Sequence, residues 1–235
     1  MRRMLVRELW QLPRCMGGAA GGLMYVLAIA AAGVFAPWYL GLDFFDIHVL
    51  LACACLSVLV AGPVMAESVA GDRERAAQSA SAEDHKNLLR AQLGAAALCG
   101  WIFTLIILAL AITTVRFAFG RLIAPPAQIL IDLAAISLAV SLCAASLSAA
   151  VSSRAKSAKH AKGNLRQGFL LVLVLVIYYA RFMPQEWKEY LTFPITVSGF
   201  TGFIAVSCVL LVALSAGLVR LALARLQDTE IRLNL

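Results

Sequence analysis

Ala91–Val115 reads AQLGAAALCGWIFTLIILALAITTV, and the nearest charges are Arg90 on one side and Arg116 on the other. A helix needs about 20 mostly apolar residues to cross the hydrocarbon core of a bilayer, and this stretch supplies them without interruption. Composition carries the same message. The chain is 62% hydrophobic and only 14% charged, whereas a soluble domain carries roughly a quarter of its residues as Asp, Glu, Lys and Arg. So few charges cannot cover a surface that faces water. Lipid is therefore the solvent for much of this molecule.

Working outward from that stretch, five further apolar runs qualify as crossings: Met16–Leu40, Ile47–Ala66, Pro126–Ser153, Gln167–Met183 and Pro194–Val219. The run at Gln167–Met183 is the weakest, because only Gln167–Ala180 is free of charge; it spans if Arg166 and Arg181 snorkel to opposite interfaces. Pro126–Ser153 contains Asp132, yet Leu133–Ser153 alone is long enough to cross. Asp132 therefore reads as an interfacial carboxylate, one to two turns into a helix started by Pro125 and Pro126.

Basic residues set the expected orientation. With the N-terminus inside, the cytoplasmic segments hold Arg2, Arg3, Arg7, Arg14, Arg73, Arg75, Lys86, Arg90, Arg154, Lys156, Lys159, Lys162, Arg166, Arg220, Arg225 and Arg232. That places sixteen basic residues inside against four outside, namely Arg116, Arg121, Arg181 and Lys188, as the positive-inside rule demands. The expected fold is thus an all-α integral membrane domain over 15–235, with six crossings and both termini cytoplasmic. A multi-pass protein of the bacterial cytoplasmic membrane fits this layout. The net charge of +7 is read as topology and contact with anionic lipid, not as a nucleic-acid surface.

Two amphipathic elements flank the crossings. In residues 1–14, Leu5, Leu9 and Leu12 share one helical stripe with Val6 and Trp10 beside it, and Arg3, Arg7, Gln11 and Arg14 share the opposite stripe. This pattern predicts a helix lying in the cytoplasmic interface, Arg to phosphate and Leu/Trp to acyl chain. Between the last two crossings, residues 184–194 place Trp187, Tyr190 and Phe193 at three-residue spacing beside Glu186, Lys188 and Glu189. A short surface helix with its rings at headgroup level is expected there. Within Pro126–Ser153, Ser137, Ser141, Ala145, Ala149 and Ser153 form a small-residue ladder suited to close helix contact.

Catalytic chemistry finds no support. GxxxxGK[ST], GxSxG, HExxH and a dinucleotide fingerprint are all missing from the sequence. His48, His85 and His160 share no spacing with carboxylates or cysteines, and the six cysteines include no CxxC pair, so no metal site is expected. Gradient-driven pumps usually carry ionisable residues deep in the membrane; the central parts of all six runs have none. Uphill transport would then need energy from elsewhere. The segment joining the second and third crossings, 67–90, alternates in charge from Asp72 to Arg75 and continues Ala/Ser-rich, so it could offer a short polar helix to a cytoplasmic partner.

Here the sequence resembles a known family. Glu67–Arg75, ESVAGDRER, is similar to the charged motif after the second crossing in permease subunits of type 2 ATP-binding-cassette exporters. NLLRAQLG (Asn87–Gly94) and the basic entry VSSRAKSAKHAKGNLRQGFLLVLVL (Val151–Leu175) are similar to that family's approaches to its third and fifth crossings. The family often follows its motif with Gly-Thr-Leu-Glu, whereas this chain has Ala76-Ala-Gln-Ser-Ala-Ser. The resemblance implies a coupling segment that docks on a separate cytoplasmic ATPase, with Asp72, Arg73, Glu74 and Arg75 orienting it. It also implies that Glu67 anchors the membrane end and that Glu83 and Asp84 belong to the docking surface. A second permease copy or a related permease would complete the complex, ATP and Mg would sit on the ATPase, and this chain would not itself be an enzyme. Two other readings stay open: a passive channel or gradient-driven carrier, and a non-transporting scaffold.

Overall fold

The computed structural model describes residues 18–76, 82–120, 125–153 and 182–233, together with 171, 174, 175 and 178. Among the described residues it is all-helical, with five helical segments long and apolar enough to cross a membrane. These are Tyr25–Phe45, Ile47–Val69, Asn87–Phe119, Ala127–Ser152 and Val197–Arg225. The protein is a multi-pass membrane protein. Residues 1–14, with Arg3, Arg7, Trp10 and Arg14, lie outside the described residues, as does most of Gln167–Met183.

In chain order the helices are α1 (Gly18–Ala30), α2 (Ala36–Leu40), α3 (Ile47–Cys55), α4 (Val58–Ala76), α5 (Ala82–Phe119), α6 (Ala127–Ser152) and α7 (Gln185–Leu233). A π-helical turn at Ala31–Phe35 joins α1 to α2, and a 3₁₀ turn at Gly41–Phe45 follows α2. The side-chain carboxylate of Asp46 caps α3 by accepting from the His48 backbone N–H at 2.8 Å. Pro126 sets the start of α6, extended at φ −50°, ψ 143° just before the helix begins.

Contacts fix the helix directions. Tyr25 meets Phe103, Gly33 lies against Leu110, and Gly41 lies against Phe119, so the α1–α2 segment and α5 run the same way. The α3–α4 segment runs the other way, its Ser57 touching both Gly100 of α5 and Ser137 of α6. Helix α6 is the centre of the bundle and packs against α3, α4, α5 and α7. It touches α7 near both of its ends: Asp132 bonds Thr201, and the Ala150 carbonyl accepts from Arg225 at 3.2 Å. These two pairs make α6 and α7 parallel. One end of the bundle therefore carries Gly120, Pro126 and Thr201; the opposite end carries Arg90, Ser153 and Arg225.

Small side chains make this closeness possible. Ser137, Ser141, Ala145, Ala149 and Ser153, the ladder expected in α6, are all buried. The hydroxyls of Ser137, Ser141, Ser146, Ser148 and Ser153 donate to carbonyls three or four residues back on their own helix, so none competes with the packing. At Gly100 a Cβ would stand 2.8 Å from the Ser57 carbonyl oxygen and 2.9 Å from Ser141 Oγ, which makes glycine obligatory where three helices meet. Trp101 ties two of them, α5 and α6, by donating its indole N–H to the Ala134 carbonyl at 2.9 Å. By contrast, only 11% of the last crossing and 17% of the first are buried within the molecule, so their apolar flanks face outward.

Candidate functional site

Two places hold chemistry that packing alone does not demand. The first is the pair of helix ends at the Arg90 side. The sequence predicts a polar, helix-compatible segment over 67–90, and in the structure α4 continues to Ala76 and α5 begins at Ala82. The reason is local. Residues 67–76 are rich in Ala, Glu and Arg, all favourable in helices. Arg73 and Arg75 fall in the last turn of α4, and Glu83 and Asp84 in the first turn of α5.

Asp72, Arg73, Glu74, Arg75, Glu83 and Asp84 thus occupy helix ends, but where their side chains point lies outside the described residues. Glu67 is half-buried at the membrane end of that extension, and Arg90 is exposed. Helix α5, with 38 residues, is about 57 Å long at 1.5 Å per residue. The hydrocarbon core is ~30 Å thick, so a large part of α5 stands clear of it.

The second place was not singled out by the sequence. Asp132, expected at the interface, is only 5% exposed. It lies five residues into α6, about 8 Å along the helix from its start. One turn earlier on the same helix, Gln128 donates its Nε2–H to Oδ1 at 3.2 Å. Across the helix interface, Thr201 of α7 donates its hydroxyl to Oδ2 at 2.8 Å. Leu133, Ile136 and Ile204 close over the pair in an apolar cluster that Phe200 and Phe203 extend. Asp132 is the one buried side chain among the described residues that can carry a full charge.

Helix α7 is shaped to deliver Thr201. Pro194 and a non-helical Gly199, at φ 73°, ψ 162°, divide it into an outer piece and the membrane-crossing piece. Thr201 is two residues beyond the break. The piece before the break is helical from Gln185, across the stretch 184–194 where a short helix is expected, with Trp187 and Phe193 each 63% exposed.

The chain matches no protein-family model, no curated protein and no solved structure. Function must therefore be argued from its own geometry.

What that geometry offers is a carboxylate in an apolar setting, held by two neutral donors. Such a group can hold a proton, orient a neighbouring helix or attract a cation. The five described cysteines, Cys53, Cys55, Cys99, Cys143 and Cys208, are free thiols, each partly buried among apolar neighbours.

Proposed function

We propose that this chain is a transmembrane permease subunit of an ATP-driven exporter, with ATP and Mg bound on separate ATPase subunits. The observation that carries the reading is the helical continuation of α4 and α5 past their apolar spans, on one end of the bundle, with charged residues at both tips. Rigid polar helix ends of this kind are what a soluble motor protein could grip. Asp72, Arg73, Glu74 and Arg75, with Glu83 and Asp84 across the connection, are the residues proposed to meet it, and Glu67 the residue at the membrane boundary. The outward apolar flanks of the first and last crossings leave room for a second permease as well as lipid.

The proposal includes six crossings with both termini cytoplasmic. Its support is the parallel course of α6 and α7: the chain leaves α6 at the Arg90 end and enters the crossing part of α7 from the Gly120 end. An additional passage between them satisfies both ends. The excess of basic residues in the segments at the Arg90 end favours that end as the cytoplasmic one.

Co-purification tests the motor claim. Replacing Asp72–Arg75 by alanine should release the ATPase or uncouple hydrolysis from transport; unchanged binding and transport would remove the claim. A second reading, a gradient-driven carrier, is favoured by one observation, the buried carboxylate of Asp132. Substrate flux that persists in vesicles without any ATPase would select that reading.

A further inference from the structure

We propose that the leading part of α7, Gln185–Ser198, is a surface arm that Gly199 turns out of the crossing direction and lays along the lipid headgroups at the Gly120 end of the bundle. Gly199 makes the turn. It has φ 73° and ψ 162° between two helical stretches, a combination open in practice to glycine alone. A Cβ there would meet nothing within 4 Å. Backbone direction, and no packing demand, therefore requires the glycine. Both sides of the turn are secured. Ser198 closes the arm by donating its hydroxyl to the Pro194 carbonyl at 2.6 Å. Beyond the turn, Thr201 holds the crossing piece to Asp132 at 2.8 Å, and Phe200, Phe203 and Ile204 join the apolar cluster that includes Leu133.

The arm has one apolar side. At about 100° per residue, Trp187, Phe193 and Val197 fall within about 120° of one another round the helix, with the positions of Tyr190 and Pro194 among them. Trp187 and Phe193 are each 63% exposed and Val197 is 71% exposed. By sequence, Gln185, Lys188, Glu189, Thr192 and Thr196 take positions on the other side of the helix. Glu186 breaks the pattern; it stands in the first turn, where the helix dipole favours an acid.

Lipid is the partner this side fits. The last crossing, Val197–Arg225, is only 11% buried within the molecule, so the arm prolongs a flank that already faces acyl chains. Its rings suit the boundary between headgroup and hydrocarbon, where Trp and Tyr are enriched. Standing upright, the arm would carry Trp187 about 15 Å beyond Val197, at 1.5 Å per residue, and hold its exposed rings in water. Lying down, it returns them to an apolar medium. A lipid-bound arm also fixes the depth at which the crossing piece begins, and with it the level at which Thr201 meets Asp132. The arm is independent of any ATPase and of which side the Gly120 end faces.

Electron paramagnetic resonance tests the arm on the full-length protein in vesicles of phosphatidylcholine and phosphatidylglycerol. Nitroxide labels are placed one at a time at Trp187→Cys, Phe193→Cys and Val197→Cys in a cysteine-free chain. Depth is read from relaxation by oxygen, which favours lipid, against a nickel chelate, which favours water. A lying arm puts all three labels at the headgroup boundary, within one helical turn, about 5 Å, of one another in depth. An upright arm puts the Trp187→Cys label about 15 Å farther out than the Val197→Cys label, open to nickel, and overturns the proposal. Labels shielded from both reagents would show protein on this side and overturn it equally. In Gly199→Ala the Trp187→Cys label should become severalfold more open to nickel, while a label at Val209→Cys on the crossing keeps its depth. An unmoved Trp187→Cys label in that variant removes the role given to Gly199. If the Val209→Cys label moves as well, the variant is misfolded, and the three depths in the parent protein decide.

Discussion

The hydroxyl of Thr114 on α5 donates to the carbonyl of Gly33 at 3.2 Å, in the π-helical turn of the first crossing. Four residues on from Gly33 stands Pro37, which has no N–H to give that carbonyl in α-helical register. The wider π turn makes room for the proline ring, and the Ala36 N–H accordingly reaches back five residues to the Ala31 carbonyl. Thr114 is the neighbour that satisfies what the proline cannot.

Thr114→Val keeps the shape and deletes the donor. We expect a loss of about 0.5–1 kcal/mol, the usual size of a hydrogen bond between membrane helices. Thr113→Val is the control, because that hydroxyl bonds only the Leu110 carbonyl of its own helix and is exposed. Unfolding by sodium dodecyl sulfate titrated into mild detergent measures both. Equal stability of the two variants would remove the role given to Thr114.

Gly100→Ala should damage the bundle more. Its new methyl would press on Ser141 Oγ and also on the Ser57 carbonyl oxygen and Ala61 Cβ, which cannot withdraw without moving a helix. Overpacking of this sort costs about 1–3 kcal/mol. Gly217→Ala meets nothing within 4 Å and should be neutral or gain up to about 1 kcal/mol from helix propensity. Thermal unfolding of the two variants in detergent decides the matter.

Orientation can be read by thiol labelling on a cysteine-free background. A membrane-impermeant maleimide applied to intact cells should reach Gly120→Cys at once. Ser79→Cys should react only after the membrane is permeabilised. The reverse pattern would invert the protein and bring down the proposed docking of a cytoplasmic motor.

The last crossing has two unlike faces. Val209 is 68% exposed and Ala222 1% exposed. Val209→Leu should leave stability unchanged within about 0.5 kcal/mol, while Ala222→Leu should lower it by about 1–3 kcal/mol. The comparison is made by the same detergent titration. An equal response would show that the face bearing Val209 is covered too.

How far the sequence reached depends on the kind of force involved. The crossings at Ala91–Val115 and Pro126–Ser153 were legible because lipid sets one simple demand, length without charge. The α6 ladder was legible for a related reason: small residues at every fourth position have few uses other than close contact. The burial of Asp132 was not legible, since it depends on Thr201, 69 residues away. A single helix gives no sign of which neighbour will cover it. The π turn left a clue in Pro37, but a proline in an apolar run signals only that some irregularity must follow. The charged stretch after Glu67 was read as a connection able to offer a short polar helix, and its Ala, Glu and Arg content suits the helix that carries α4 on to Ala76.

That rod has a mechanical consequence. Between Arg90 and Phe119, α5 has no proline and no interruption, so a push on its tip arrives at the far side as one movement. The neighbouring α3–α4 segment behaves otherwise. It has a joint at Leu56–Ser57, followed by Pro63, where the backbone departs from helical bonding. One strut is continuous and the other is jointed. A load applied to both tips together would slide the first past the second at the point where Gly100 meets Ser57.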